Sequence, residues 1–496
     1  MTMTYRPDKE EKMGPIHDTR KTKATLVSTI ALCSALMVAA CDSRNVSVDE
    51  FLKRAETHRT SGNVRAAMIE LKNAVQKEPQ NGLARLKLGE AFIDLGDGVA
   101  AEIELRRARD ANVEPDTTTV LLAESKFLQR KFEDVIKQLD PEALSSQQAK
   151  ASAYALRGKA YFALRQPQQA NEAFNAALAA DPASIDAIAG AARLALSQGD
   201  MTRAQSLTAK SLELGPKDPK SLLLQGEIAF YLRDYETSQR AYEQALKMHR
   251  ADATTYGAAI GLARAQIAAG KNKEAIDTLA PVLKAAPRDI MTNYLRALAA
   301  YQMKDYKSAQ SFSEVALATM PDHRPSMFLA GASSYALGAH ERAAKYLGTF
   351  VAQVPENLEA RKLLAEIQVK LGEPSNALKT LTSGLPKSGQ ADPQLLSMIG
   401  TVTAQSGDLS GARNYLEKAV AAQPADATSR ARLGVTRIAL GDTAEGIEDL
   451  EKASKLDSST WQADFALVSA YLQARDYDKA LEAAKRLQAR QPNNPN

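Results

Sequence analysis

Small and large apolar residues recur along this chain with a period of about 34 positions. Each period holds a small residue within a helical stretch, a turn, an alanine, a large apolar residue four positions later and often a proline. The stretches 158–182, GKAYFALRQPQQANEAFNAALAADP, and 400–424, GTVTAQSGDLSGARNYLEKAVAAQP, both show this order. Because a fixed period of this length marks a repeated supersecondary unit, each period predicts two antiparallel helices joined by a turn.

The small residue, counted as the eighth of a unit, places the unit starts near residues 48, 82, 116, 151, 185, 219, 256, 290, 324, 358, 393, 427 and 461. Two helices approach closely only where side chains are small, so we expect the crossing to lie at the eighth position and at the alanine in the twentieth. The large residue at position 24 should fill the gap to the next unit. Glycine in the turn should stop the first helix, and proline should end the second.

This pattern resembles the tetratricopeptide repeat over nearly the whole chain. The resemblance implies an all-α fold, a right-handed α-solenoid superhelix of about 13 helix hairpins over residues 48–492. The unit at 116–150 departs most from the pattern, since Val135 stands where alanine is expected.

In this family the first helices line a concave groove that binds extended peptides or partner helices. The twelfth position of each unit often faces that groove, and here it carries an apolar and aromatic stripe. The candidate protein-binding residues are Phe127, Phe162, Phe230, Tyr301 and Tyr335. An alternative interpretation remains open, in which these side chains pack over the small residue at the eleventh position.

Composition and charge narrow the function further. The 63 basic and 59 acidic residues nearly balance, so no net field favours nucleic acid as a partner. The five histidines are scattered, and neither an HExxH pair nor a GxxxxGK[ST] loop occurs. The sequence therefore predicts no catalytic residues, no metal site, no cofactor and no small-molecule substrate. Proteins, as extended peptides or helices of envelope machinery, are the predicted partners.

Both cysteines, Cys33 and Cys41, lie in or beside one apolar run near the start of the chain. A basic RKTK segment precedes the run at 24–40, which is the order of an export signal. The sequence Val-Ala-Ala before Cys41 resembles the lipobox of bacterial lipoproteins, whose cysteine carries diacylglycerol and becomes the mature N-terminus. Two alternatives remain: a disulfide between the cysteines, or a Cys41 buried in an uncleaved anchor helix.

The lipoprotein interpretation sets the expected domain organisation. Residues 1–40 are a removed signal peptide, 41–47 a lipidated tether, 48–492 the repeats and 493–496 a C-terminal tail. An acyl anchor would hold the protein on a membrane facing the periplasm. In the lipoprotein family an aspartate after the lipidated cysteine is a sorting signal, so Asp42 favours the inner membrane, with the outer membrane as the alternative.

The segment from Ala67 to Gly89, AMIELKNAVQKEPQNGLARLKLG, resembles the tetratricopeptide lipoprotein of the PEP-CTERM/exosortase system. That resemblance implies a non-catalytic scaffold for exopolysaccharide production, biofilm formation or surface-protein sorting. The alternatives are an assembly or targeting factor for type IV pili or an outer-membrane export machine, and a regulatory subunit of an envelope enzyme.

Overall fold

The computed structural model describes residues 46–61, 63–248, 253–383, 392–457 and 461–490, and within these ranges regular structure is entirely helical. A 3₁₀ turn at Pro141–Ala143 accompanies twenty-six α-helices. The helices are α1 Val48–Thr60, α2 Val64–Lys77, α3 Gly82–Asp94, α4 Gly98–Asp110, α5 Pro115–Leu128, α6 Phe132–Gln138, α7 Gln147–Ala163, α8 Pro167–Ala180, α9 Ile185–Ser197, α10 Met201–Leu214, α11 Pro219–Tyr231, α12 Tyr235–Leu246, α13 Ala253–Ala268, α14 Asn272–Ala285, α15 Ile290–Gln302, α16 Tyr306–Thr319, α17 Arg324–Ala336, α18 His340–Gln353, α19 Leu358–Lys370, α20 Pro374–Thr382, α21 Pro393–Gln405, α22 Leu409–Ala422, α23 Ala427–Leu440, α24 Thr443–Leu456, α25 Trp461–Gln473 and α26 Tyr477–Arg490.

These helices form thirteen consecutive hairpins, in which odd-numbered helices come first and even-numbered helices come second. Ten of the first helices begin at the residue that the repeat pattern predicts. The others begin earlier, at Pro115, Gln147 and Ala253. The all-α tetratricopeptide-type solenoid expected from the sequence is therefore confirmed.

Turn chemistry fixes where each hairpin bends. Glycine at the fifteenth position adopts positive φ, as at Gly96 (φ 76°) and Gly199 (φ 80°), and in both of these turns an aspartate follows directly. That aspartate caps the second helix, since Asp97 accepts from the N–H of Ala100 at 3.0 Å. The sequence pattern did not predict that basic residues hold the same left-handed conformation in five further turns, at Arg130, Arg165, Arg233, Lys304 and Arg475.

The contact within a hairpin joins positions 8 and 24. A Cβ built on Gly158 would lie 2.6 Å from the ring of Phe174, and one on Gly190 of the following hairpin would lie 2.2 Å from it. Phe174 is only 1% exposed. The side chain at position 24 therefore packs against its own hairpin and against the next one, so only glycine fits at both of these points.

The described residues within Met1–Leu232 and Arg240–Ala258 form one compact unit, and those within Arg233–Gln239 and Ala259–Asn496 form a second. The first unit contains the hairpins α1/α2 to α9/α10 and helix α11. Its third hairpin is irregular, because α6 has only 7 residues and the 3₁₀ turn follows it. Val135 is nevertheless fully buried at the place where alanine was expected.

The second unit holds two buried carboxylates near its C-terminal end. Asp449 on α24 accepts from Arg430 at 3.1 Å and from Arg437 at 2.6 Å. Asp464 on α25 is fully buried and accepts from Arg486 at 3.1 Å and from Arg490, both on α26. These ion pairs link neighbouring helices, and removing one partner would leave a buried charge unpaired.

Candidate protein-interaction surface

A cavity of about 350 Å³ opens on the first helices of the first unit. Side chains of α5, α7, α9 and α11 line it, and most of them are polar. Four are charged: Glu124, Lys159, Asp186 and Lys220. We call this feature the charged inner cavity. Because four consecutive hairpins each contribute one or more of its residues, its shape depends on the register of these four hairpins.

Asp186 on α9 lies at the centre of the charge arrangement. Its Oδ1 is 2.8 Å from Nζ of Lys159 on α7, and its Oδ2 is 2.6 Å from Nζ of Lys220 on α11. One carboxylate thus joins three first helices. A second ion pair joins two of the same helices, α9 and α11, since Arg193 Nε is 2.8 Å from Glu227 Oε2.

The two carboxyl groups of the cavity have opposite pKa shifts. Burial opposes the ionisation of Asp186, but Lys159 and Lys220 outweigh it and hold its pKa well below the usual range. Burial dominates at Glu124 and raises its pKa, with Lys159 acting in the opposite direction. The pKa of Lys220 is raised, because Asp186 overcomes the effect of burial. Asp186 is therefore a fixed negative charge between two ammonium groups, whereas Glu124 resists ionisation.

The second unit has a less polar cavity of about 360 Å³ between α21, α23 and α25. Val435 lines it and is 49% exposed. On α25, which contributes Gln462 to the lining, Phe465 and Leu472 are 55% and 52% exposed. Exposed apolar side chains on the helices that line a cavity suit the apolar side chains of a partner segment.

The five predicted groove residues are all half-buried and contact their own chain. Three of them pack across the turn onto the residue at position 17, which opens the second helix. The ring centroids are 5.2 Å apart for Phe127 and Phe132, 5.4 Å for Tyr301 and Tyr306, and 5.7 Å for Tyr335 and His340.

The remaining contacts of these predicted residues are also intramolecular. Phe162 packs against the cluster around Phe174, and Phe230 contacts the ring of Tyr231 at 6.0 Å. Tyr335 also donates to Glu366 and lies under Lys370. The five predicted side chains at the twelfth position therefore pack within their own chain, and their role in partner binding stays a prediction.

The predicted lipidation residue Cys41 and sorting residue Asp42 lie outside the described residues. None of the helices in the described ranges is long and apolar enough to cross a membrane. In the same part of the chain, no group of three or more His, Cys, Asp and Glu side chains could hold a metal ion.

Models of two tetratricopeptide repeat families match about two thirds of the sequence. One matches residues 52–114 and 431–495, and the other matches 161–228, 229–301 and 334–400. The chain belongs to the tetratricopeptide-repeat family. Such repeats generally mediate contacts between proteins, so the inner cavities belong to a protein-interaction scaffold.

Among characterised proteins, the chain is similar to Protein FlbA of Caulobacter vibrioides, with 25% identity over 166 residues. The match spans 34% of this chain and only 28% of the relative.

The chain also resembles solved repeat structures. That of the APC/C hetero-tetramer Cut9-Hcn1 has 16% identity, a TM-score of 0.42 and coverage of 93% of this chain and 97% of the other. Pseudomonas aeruginosa pilF has 19% identity, a TM-score of 0.38 and coverage of 44% and 97%. PilW, described as a type IV pilus biogenesis factor, has 18% identity, a TM-score of 0.39 and coverage of 43% and 98%.

Proposed function

We propose that this protein is a non-catalytic, lipid-anchored scaffold of the periplasm that supports exopolysaccharide production or PEP-CTERM/exosortase protein sorting. The observation that carries the scaffold role is the charged inner cavity, built by the first helices of consecutive hairpins. A surface assembled from several repeats is suited to an extended partner segment rather than to a small substrate.

The chemistry of the cavity defines what a partner must offer. Lys159 and Lys220 each hold three N–H donors, and one donor of each contacts Asp186. The others are positioned for carbonyl or carboxylate oxygens of a bound peptide. The carboxylate of Asp186 holds both ammonium groups in place before a partner arrives, which lowers the entropy cost of binding.

The anchor rests on the sequence around Cys41, where the Val-Ala-Ala-Cys order follows a basic and then an apolar segment. Acyl chains on that cysteine would hold the repeats at the membrane surface, since each buried methylene contributes about 0.8 kcal/mol. Asp42 favours retention at the inner membrane. Replacing Cys41 with serine should move the protein out of the acylated membrane fraction, as followed by incorporation of a radiolabelled fatty acid.

In vivo photo-crosslinking tests the scaffold role. A photoreactive amino acid replaces Lys220 in the charged inner cavity, or Val435 in the second unit. Asn414, which is exposed on the outer side of α22, serves as the matched control position. Capture of polysaccharide-synthesis or sorting components from the inner positions, and not from 414, supports the proposal. Capture of pilus or outer-membrane assembly proteins would instead support an assembly-factor role, and equal capture from all positions would contradict partner binding by the inner surface.

A further inference from the structure

The second helices of the first two hairpins expose apolar side chains toward solvent. On α2, Ile69 is 59% exposed, and on α4, Val99 and Ile103 are 61% and 49% exposed. Ile69 and Ile103 both stand at the twenty-second position of their repeats, so they lie on the same side of two consecutive hairpins. Exposed apolar groups in register mark an interaction surface rather than scattered surface residues.

Basic side chains border these apolar residues. Arg65 and Lys72 flank Ile69 at helical spacings of four and three residues, and Arg106 follows Ile103 three residues later; all three are exposed. Acidic groups are present as well: Glu102 pairs with Arg106, and Asp110 lies 3.5 Å from Arg109. On α2, the exposed charged side chains are all basic, and Glu70 is half-buried. We call the surface formed by Arg65, Ile69, Lys72, Val99, Ile103 and Arg106 the outer basic-apolar face.

The repeats themselves provide an internal comparison. In every other hairpin the residue at the twenty-second position is polar or charged, for example Glu172 on α8, Ser206 on α10 and Asn414 on α22. The fold therefore does not require an apolar residue there. The exception is confined to the two hairpins that follow the predicted lipidation site.

The start of the described chain lies at the C-terminal end of α2, the helix that carries Ile69. The carbonyl of Val46 accepts a hydrogen bond from Lys77, the last residue of α2. Cys41 lies five positions before Val46, a stretch that spans at most about 18 Å when extended. Ile69 lies eight residues before Lys77, about 12 Å along the helix. A bilayer that holds the lipid on Cys41 is therefore within reach of the outer basic-apolar face.

We propose that the outer basic-apolar face rests on the surface of a bilayer that contains anionic phospholipids. This inference rests on the lipid anchor of the proposed function. The apolar side chains enter the boundary between headgroups and acyl chains, while the basic side chains contact phosphate groups. The anchor alone would leave the repeats free to swing, whereas this second contact fixes the first two hairpins against the membrane.

Fluorescence quenching of the lipidated full-length chain tests the proposal. Ile103→Cys carries an environment-sensitive fluorophore, and Glu172→Cys carries the same label at the equivalent outer position of α8. Each protein is reconstituted in vesicles of phosphatidylethanolamine and phosphatidylglycerol that contain a brominated lipid. We expect at least about twofold quenching at position 103 and little at position 172. Charge reversal by Arg65→Glu with Lys72→Glu should weaken the quenching at 103, and vesicles without phosphatidylglycerol should do the same.

The outcomes separate this inference from the anchor on which it rests. If the chain floats with the vesicles but positions 103 and 172 are quenched equally, the anchor holds and the docked face is wrong. Shielding of position 103 that grows with protein density, without quenching by lipid, would assign the face to a second copy and overturn the proposal. If the chain does not float with the vesicles, both the anchor and the docked face are refuted.

Discussion

Gly158→Ala should destabilise the fourth hairpin, because the ring of Phe174 leaves no space for a methyl group. The new Cβ would lie 2.6 Å from Cδ1 and Cε1 of that ring. The ring cannot easily move away, since it is buried and also lies against Gly190 of the next hairpin. Overfilling a packed core typically costs about 1–3 kcal/mol.

A matched substitution isolates this steric cost from the gain in helix propensity. Alanine in place of a helical glycine stabilises the helix by about 1 kcal/mol. Gly348 in α18 provides that measurement, because a Cβ built there meets no atom within 4 Å. Gly348→Ala should therefore stabilise its hairpin, and the two variants should differ by about 1–3 kcal/mol in local stability.

Hydrogen exchange followed by mass spectrometry is the appropriate assay, because a chain of repeats can open locally. At about tenfold per 1.4 kcal/mol, amides of α7 and α8 in Gly158→Ala should exchange about 5–150-fold faster than the Gly348→Ala result alone would predict. Adding Phe174→Leu should recover part of the protection by freeing space. Equal slowing of exchange by the two alanine variants would refute the close contact between Gly158 and Phe174.

Three further predictions concern buried and paired charges. Asp464→Ala should destabilise the last hairpin by about 3–5 kcal/mol, because Arg486 and Arg490 lose their buried partner. Fluorescence of the chain's one tryptophan should show that this variant unfolds at a lower urea concentration. An unchanged unfolding transition would contradict the buried ion pair. Asp186→Asn should cost about 1 kcal/mol or less at pH 7, because the carboxylate is partly exposed. Because the pKa of Asp186 is lowered in the folded state, the extra stability of the wild type is fully present above pH ~4 and is lost as pH falls further. Unfolding midpoints measured across the acid range should show this loss. Glu124→Gln should have the opposite effect, because the raised pKa of Glu124 makes its ionised carboxylate unfavourable in the folded state. The variant should be more stable than the wild type at pH 7 and equally stable below pH ~4. A variant that is less stable at pH 7 would contradict the burial of this group.

The sequence predicted the hairpins well because the fold depends on residue sizes at fixed intervals. The small residue at position 8 and the large one at position 24 were expected, and Phe174 does reach the next hairpin at Gly190, but its contact with Gly158 of its own hairpin was not foreseen. Glycine turns stop the first helices, as expected. The left-handed turns at Arg165 and Lys304 could not be predicted, since no local preference favours a basic residue there. The shortened α6 also went unpredicted, because Val135 signalled irregularity without giving a length.

The charged inner cavity was harder to predict than the fold. Glu124, Lys159, Asp186 and Lys220 stand 27 to 35 residues apart and look like ordinary charges on exposed helix faces. They come together only when positions 2 and 9 of successive units are superposed. The aromatic residues instead pointed to position 12 as the binding surface. In the structure, three of those side chains pack against the ring at position 17 of their own hairpin.

The irregular third hairpin gives the protein an uneven compliance. Its second helix has 7 residues, against 14 in α2 and α8, and no side-chain cap closes its N-terminus. Each hairpin mainly contacts its neighbours in the chain. A pulling force between the N-terminal end and a bound partner is therefore carried by each of the hairpins between them. The hairpin with the shortest helix should extend first, so we expect a load to be absorbed near α6 before the partner contacts of the second unit are disturbed.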